Sequence, residues 1–322
     1  MKLIVTGGAG FIGSNFITYW LKKYPSDQII NIDKLTYAAD LRNLEEVSNS
    51  SNYTFIQGDI SDKEFVDKNF RDADVIVNFA AESHVDNSIK DPTNFIRSNI
   101  IGVYNILESV RKTGIRFHQI STDEVYGSLS LSSKDKFTEQ TKYNPRNPYA
   151  ATKAAADLLI RSYYNTYRLP VTISNCSNNY GPNQHPEKLI PKTILKAYLN
   201  QKIGLYGNGK NVRDWIYVED HCSAIDLIIR KGELGETYLI GADGEKSNIE
   251  VVKEILNLMG KPESLIEFVP DRPGHDERYA IDASKLRNEL GWRPKYSFKE
   301  GIKITLDHYL KNKERYLPKL PQ

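Results

Sequence analysis

A phenol and an ammonium stand four residues apart in Tyr149-Ala150-Ala151-Thr152-Lys153, a spacing that puts both on one face of a helix. An unperturbed tyrosine, with a pKa near ~10, is a poor base at neutral pH, but a nearby cation stabilises phenolate and can make it one. The spacing alone decides nothing, since the chain holds five Tyr-x-x-x-Lys matches, at Tyr19, Tyr149, Tyr198, Tyr206 and Tyr309. Tyr149 is set apart by Pro148 just before it, which suits a helix start, and by its place 27 residues after Thr122. Thr122 belongs to Ser121-Thr122-Asp123-Glu124, whose adjacent carboxylates can raise a pKa by mutual repulsion, although such pairs commonly do no more than cap a turn.

A second cluster suits phosphate. Gly7-Gly8-Ala9-Gly10-Phe11-Ile12-Gly13 reads G-x-x-G-x-x-G at Gly7, Gly10 and Gly13, between a first apolar run and a helical pattern. Glycines serve a tight turn, close approach of a pyrophosphate and helix–strand packing, and the helix amino terminus offers unpaired N–H groups to the phosphates. Asp33 lies twenty residues after Gly13 at the end of a second apolar run, where a carboxylate can take the adenosine ribose hydroxyls. It would repel a ribose phosphate, so the pattern favours NAD over NADP; Lys34 and Arg42 weigh the other way.

The elements that must hold these residues alternate. Apolar runs predict strands over Leu3–Thr6, Ile29–Asp33, Tyr53–Gln57, Asp74–Phe79, Arg116–Thr122 and Val171–Asn175. Amphipathic stretches predict helices over Ser14–Tyr24, Asp62–Phe70, Thr93–Thr113 and Tyr149–Tyr167. Strand and helix at this cadence build a doubly wound, Rossmann-like parallel sheet of the α/β class. Polar residues gather where the strands end: Asp59-Ile60, Ala80-Ala81-Glu82-Ser83-His84 and Ser121–Glu124. Strand ends of an open parallel sheet share one edge, so these distant segments converge on one crevice. Beyond residue 175 turn residues break the rhythm, with helices predicted over Leu189–Leu199, His221–Arg230, Ile249–Met259 and Ser284–Leu290. We expect an NAD-binding domain over 1–175, rejoined by 214–245, and a smaller mixed α/β domain from 176–213 and 246–322.

Composition narrows the classes. The chain has 322 residues, enough for about two domains, with 40% hydrophobic and 26% charged residues, an ordinary folded balance. Forty-three Lys and Arg against 41 Asp and Glu leave +2, which gives no electrostatic case for nucleic acid or an anionic membrane. No apolar run approaches the ~18 residues of a membrane span, and the glycine-broken start MKLIVTGGAGF does not read as a signal peptide. Cys176 and Cys222 form no CxxC pair or disulfide framework, which fits a cytoplasmic protein. The six histidines show no metal-ligand spacing, so no metal is expected.

Gly7–Gly13, Thr122 and the Tyr149/Lys153 pair together resemble the extended short-chain dehydrogenase/reductase family of nucleotide-sugar enzymes. AAESHVD (80–86), STDEVYG (121–127), NPYAATKAAAD (147–157), SNNYGP (177–182), PEKLIP (186–191), RDWIYVEDH (213–221) and DRPGHD (271–276) resemble its 4,6-dehydratase branch, which acts on dTDP-glucose, and they span essentially the whole chain. The resemblance implies C4 oxidation, loss of water across C5 and C6, and return of the hydride to C6. It implies Tyr149 as the base for the C4 hydroxyl, Thr122 as that oxygen's partner, and Lys153 on the nicotinamide ribose, biasing Tyr149 toward phenolate. Glu124 matches the base for the C5 proton and Asp123 the acid for the departing C6 hydroxyl, which requires a raised pKa. On the cofactor side it implies Gly7, Gly10, Phe11, Ile12, Gly13, Asp33, Lys34, Leu35, Thr36, Asp59, Ile60, Ala80, Ala81, Ser83, Asn99 and Asn179, besides Tyr149 and Lys153. On the substrate side it implies His84, Thr122, Asn178, Lys188, Leu189, Gly204, Tyr206, Arg213, Asn248, Arg272 and His275; the guanidiniums suit a diphosphate. Ala39-Asp40 departs from the family's usual Gly-Asn, and Gly204 stands where a proline is common. A homodimer through the helices near Thr93–Thr113 and Tyr149–Tyr167 is a further family expectation. The rivals are a nucleotide-sugar 4-epimerase, which needs neither Asp123 nor Glu124, a dehydratase for another nucleotide sugar, and a non-catalytic NAD-binding scaffold, which needs no acid or base.

Overall fold

The computed structural model describes residues 1–321. The first half alternates β1 (Lys2–Thr6), α1 (Phe11–Lys23), β2 (Gln28–Asp33), β3 (Tyr53–Gln57), α2 (Lys63–Asn69), β4 (Val75–Asn78) and α3 (Val85–Lys90). Next come α4 (Thr93–Phe95), a π-helical stretch over Ile96–Ile101, α5 (Gly102–Thr113), β5 (Arg116–Thr122), α6 (Pro148–Tyr167) and β6 (Val171–Cys176). These six strands and a later one, β10 (Thr237–Ile240), make one parallel sheet of order β3-β2-β1-β4-β5-β6-β10. The order turns back between β1 and β4, so their carboxyl ends flank the crevice where ligands bind such sheets.

Both faces of the sheet are covered, so the central strands β1 and β4 are buried on both sides. Phe16, Ile17 and Trp20 of α1 pack with Ile225, Ile228 and Ile229 of α8 (Val218–Lys231) on one face. Val103, Ile106, Leu107 and Val110 of α5 pack with Ile160 of α6 on the other. The predicted helix over Thr93–Thr113 forms, but with a π stretch in it. There Asn99 turns inward, accepting the Glu82 N–H and donating to Glu82 O and Thr152 Oγ1.

The remaining chain forms β7 (Asn178–Tyr180), α7 (Leu189–Tyr198), β8 (Ile203–Tyr206), β9 (Val212–Tyr217), β11 (Glu245–Ser247), α9 (Asn248–Leu258) and β12 (Ile266–Val269). It closes with α10 (Ser284–Leu290), α11 (Phe298–Lys311) and α12 (Lys313–Tyr316). β11-β9-β7 is one small sheet and β12-β8 another, around a core of Tyr180, Ile194, Trp215, Val251, Ile255 and Tyr309. Two placements differ from expectation. β9 joins the small sheet rather than the large one, and Leu286 of α10 with Trp292 packs into the core beside α8.

Candidate active site

The glycine turn builds the first wall. Gly7 sits at φ +69°, and a Cβ there would lie 2.6 Å from Ala80 N, because the ends of β1 and β4 approach closely at the switch point. A Cβ on Gly13 would lie 2.4 Å from Gly7 O, so α1 starts against the turn only with glycine present. A cleft of about 330 Å³ opens here, lined by Gly7, Gly10, Phe11, Ile12, Gly13, Asp33, Lys34, Thr36, Asp59, Ile60, Ala80, Ala81 and Ser83. Asp33 accepts the Ala9 N–H at 2.9 Å and the Leu35 N–H at 2.8 Å, which fixes the carboxylate at the end of β2. Burial raises its pKa, while the two N–H groups oppose that rise. Lys34 pairs with Asp59 at 2.7 Å and Arg42 with Asp40 at 2.8 Å, so the two cations that weighed toward NADP are both engaged by carboxylates. The cradle fits NAD.

The same cleft is lined by Thr122, Asp123, Glu124, Tyr149, Lys153, Asn178, Asn179 and Lys188. All five expected catalytic residues therefore meet in one place, though they come from a turn after β5 and the first turns of α6. Asn147 is the N-cap of α6, accepting the Ala150 N–H at 2.8 Å, and Pro148 occupies the first helical position. The other amide end of Asn147 donates to Glu124 Oε2 at 3.2 Å. Thr122 Oγ1 donates to Asp123 Oδ1 at 3.3 Å, and Asp123 Oδ2 has no partner among the described residues.

Burial, then Glu124 and Asp214, push Asp123 well above the usual carboxylate range. Burial also raises Glu124, but Asn147, Arg272 and Arg213 pull it back. Both carboxyls are thus raised, and Asp123 is the more strongly disfavoured as an anion. Burial, then Glu124, push Tyr149 up, and the Thr122 hydroxyl opposes them. Lys153 donates to Ile120 O at 2.7 Å, and burial lowers its pKa against the pull of Asp157 and Cys176. For Tyr149, then, the Thr122 hydroxyl opposes the rise, while Lys153 is engaged by Ile120 O.

Several expected ligands stand elsewhere. Asn99 is spent on Glu82 and Thr152, so it orients the segment after β4 instead of lining the cleft. Leu35, at φ +62°, contributes its N–H to Asp33 and stands outside the lining. His84 caps α3 through Nδ1, with Nε2 3.5 Å from Glu187, and burial lowers its pKa to about 4, so the ring is neutral. Tyr206, Arg272 and His275 cluster: Tyr206 donates to Asp86 at 3.2 Å, Arg272 lies 3.7 Å from Asp86, and the Tyr206 and His275 rings meet edge-on. Arg213 stacks on Tyr279 at 4.2 Å and already donates to Val212 O and Asp276 O, leaving it less of its fork than the bidentate expectation supposed. Leu189 and Asn248 open α7 and α9, and Gly204 lies within β8, all apart from the catalytic cleft.

A family model described as GDP-mannose 4,6 dehydratase matches residues 4–305. The chain belongs to that family. A dTDP-glucose 4,6-dehydratase from Mycobacterium tuberculosis is 48% identical over 319 residues, covering 99% of this chain and 96% of that protein. The low-salt glycan biosynthesis protein Agl12 of Haloferax volcanii is 51% identical over 315 residues, covering 98% and 100%. The solved structure of DesIV, a dTDP-glucose 4,6-dehydratase from Streptomyces venezuelae with NAD bound, has a TM-score of 0.96 at 43% identity, covering 99% of each chain.

Within this dehydratase-family site, sequence reasoning missed Asn147, Cys176 and Asp214. Asn147 was within reach, since Asn before Pro is a strong helix-start signal. Cys176 ends β6 in the cleft, its thiol pushed up to about 12 by burial, and Asp214, raised to about 6 by burial, has a charge that in turn raises Asp123. Nothing in the spacing of either residue points to the site.

Proposed function

We propose that this protein is a dTDP-glucose 4,6-dehydratase, a hydro-lyase that converts dTDP-glucose to dTDP-4-keto-6-deoxyglucose. The glycine turn at Gly7, Gly10 and Gly13, with Asp33 at the end of β2, would hold NAD, which would supply a hydride acceptor at C4 and a hydride donor at C6. Tyr149 removes the C4 hydroxyl proton, with Thr122 hydrogen-bonded to that oxygen and Lys153 toward the nicotinamide ribose. Once C4 is a ketone the C5 proton is acidic, and Glu124 takes it while Asp123 protonates the departing C6 hydroxyl. The observation that carries the reading is the adjacent carboxyl pair lining the cleft: Asp123, with Oδ2 unpartnered among the described residues, beside Glu124, which the Asn147 amide holds at 3.2 Å. An epimerase or a scaffold has no use for such a pair.

Lys188, Arg272, His275, Tyr206 and Arg213 flank this centre and form the nucleotide diphosphate side, with His84, Asn178, Leu189, Gly204 and Asn248 around it. Residues 1–175 with 214–245 form the NAD-binding unit, and 176–213 with 246–322 the sugar-nucleotide unit, except that β9 and α10 each pack with the other unit. The exposed apolar side chains Ile96, Ile101, Tyr104, Leu158 and Tyr167 on the α5 and α6 side suit pairing of two copies into a homodimer. Both cysteines are free and buried, in keeping with the cytoplasm, and no helix among the described residues is long and apolar enough to cross a membrane. Incubation with dTDP-glucose in deuterated water tests the chemistry: NMR should show a 4-keto-6-deoxy product carrying solvent deuterium at C5. A C4 epimer, or turnover of another nucleotide sugar in preference, overturns the assignment.

A further inference from the structure

The segment after β2 is fastened at both ends to parts of the chain far away in sequence. Its residues Thr36, Ala38 and Ala39 form one wall of the glycine cleft. At one end Tyr37 donates its hydroxyl to Glu187 Oε1 at 3.1 Å, reaching the loop before α7. At the other end Asp40 Oδ2 meets Lys319 Nζ at 2.7 Å and Arg315 Nε at 3.3 Å, both from the C-terminal tail. Arg315 also donates through Nη2 to Asn43 Oδ1. The inner side of the same segment is tied to the glycine turn, since the Asp40 N–H and the Asn43 amide both donate to Ala9 O, at 3.0 and 2.9 Å.

The tail is itself anchored. Tyr316 is buried, its hydroxyl meeting His308 Nε2 at 2.8 Å and Asn183 Oδ1 at 3.3 Å, and the Asn183 amide reaches Ser14 Oγ of α1 at 3.4 Å. The Asp40 side chain is 11% exposed, with Arg315 at 16% and Lys319 at 26%, so these pairs hold better than fully exposed ones while the lysine side stays open to screening by salt. Such charge-assisted bonds hold geometry, here that of a segment forming one wall of the cleft.

We propose that Arg315 and Lys319 of the C-terminal tail, which stand outside the cleft lining, are positioning residues that retain the cofactor by latching the Tyr37–Asp40 segment closed through Asp40. The proposal rests on the NAD reading of the cleft. Asp40 also holds Arg42 within its own segment, at 2.8 Å, so the tail adds two cations to a carboxylate already fixed locally, and cofactor retention then depends on ionic strength.

The test measures loss of labelled NAD from the loaded full chain into excess unlabelled NAD. Arg315→Ala/Lys319→Ala should lose NAD about tenfold faster, equivalent to about 1.4 kcal/mol. Wild-type loss should quicken between about 0.01 M and about 1 M salt, as the Debye length falls from about 30 to about 3 Å, and Asp40→Asn should flatten that dependence. Tyr37→Phe should speed loss without changing the salt slope, and Lys313→Ala, a tail charge away from Asp40, should behave as wild type. Should the double variant fail to fold, Asp40→Asn carries the test, since it replaces one atom. Wild-type retention in Arg315→Ala/Lys319→Ala, or an unchanged salt slope in Asp40→Asn, overturns the latch alone. A wild-type chain that takes up no NAD overturns the cofactor reading and the latch with it.

Discussion

Replacing Asp123 by asparagine should make the protein more stable while crippling it. Asp123 is 2% exposed, its Oδ2 has no partner among the described residues, and burial, Glu124 and Asp214 all disfavour its charge. Its folded pKa therefore lies above the unfolded value of 3.8, and the folded state keeps a proton that the unfolded state has released. Stability falls as pH rises from the unfolded pKa through the folded one, and is constant above it. The asparagine amide cannot titrate, so the stability difference between variant and wild type should widen with pH across that window and then level off.

Relieving a poorly compensated buried charge is worth about 1–3 kcal/mol. For 322 residues at ~2.1 cal/mol/K each, the unfolding entropy is about 0.7 kcal/mol/K, so Tm should rise by about 1.5–4.5 °C at alkaline pH. Thermal melts of both proteins, saturated with NAD to hold ligand linkage equal, would be recorded between about pH 4 and pH 9. Glu124→Gln relieves the same repulsion, so the double variant should gain less than the sum of the singles. A lower Tm for Asp123→Asn with a difference independent of pH refutes the claim that this carboxyl is kept protonated by its surroundings.

Three further outcomes follow from the site. Tyr149→Phe should lose at least about a hundredfold in turnover, as for a removed general base, whereas Tyr198→Phe, on an exposed ring with the same Tyr-x-x-x-Lys spacing, should not. Glu124→Gln should let oxidation proceed but slow water loss, so that absorbance of reduced nicotinamide builds up in a single turnover with dTDP-glucose; product at the wild-type rate without that absorbance would remove Glu124 from its role. Gly13→Ala places a Cβ 2.4 Å from Gly7 O and 2.8 Å from Gly8 Cα, so it should cost about 1–3 kcal/mol in a melt and empty the purified protein of dinucleotide; normal NAD content would show the turn to be looser than drawn.

The parallel sheet was legible because its strands read as short runs rich in apolar and β-branched residues between helical patterns. Tyr53–Gln57 and Arg116–Thr122 match their predicted bounds, and the others differ by a residue or so. The glycine cradle was legible because it is local: turn, helix start and Asp33 lie within one βαβ unit. In the C-terminal half the four predicted helices form, as α7, α8, α9 and α10, but the strands between them were not read. α11 begins with a capping box at Ser297 and Glu300 that could have been read, but β7, β11 and β12 are three or four residues long and carry little pattern. The placement of Arg213 depends on stacking over Tyr279, 66 positions later, and that of Asn99 on a π turn, neither of which any local periodicity encodes.

A sheet of this kind can present a tyrosine and a lysine for many reactions, so the fold does not choose among them. The choice lies in the single turn after β5, where Asp123 and Glu124 are added to the Thr122 end of the strand. What keeps that turn in register with the base is Asn147, whose carbonyl caps the helix carrying Tyr149 and whose amide holds Glu124. In the proposed reaction, one side chain thereby ties the group that would begin oxidation to the group that would remove the C5 proton. The two half-reactions need a common geometry because the same sugar must present C4 and then C5 without leaving. A helix cap that reaches across to the second base supplies it from elements the sheet already provides.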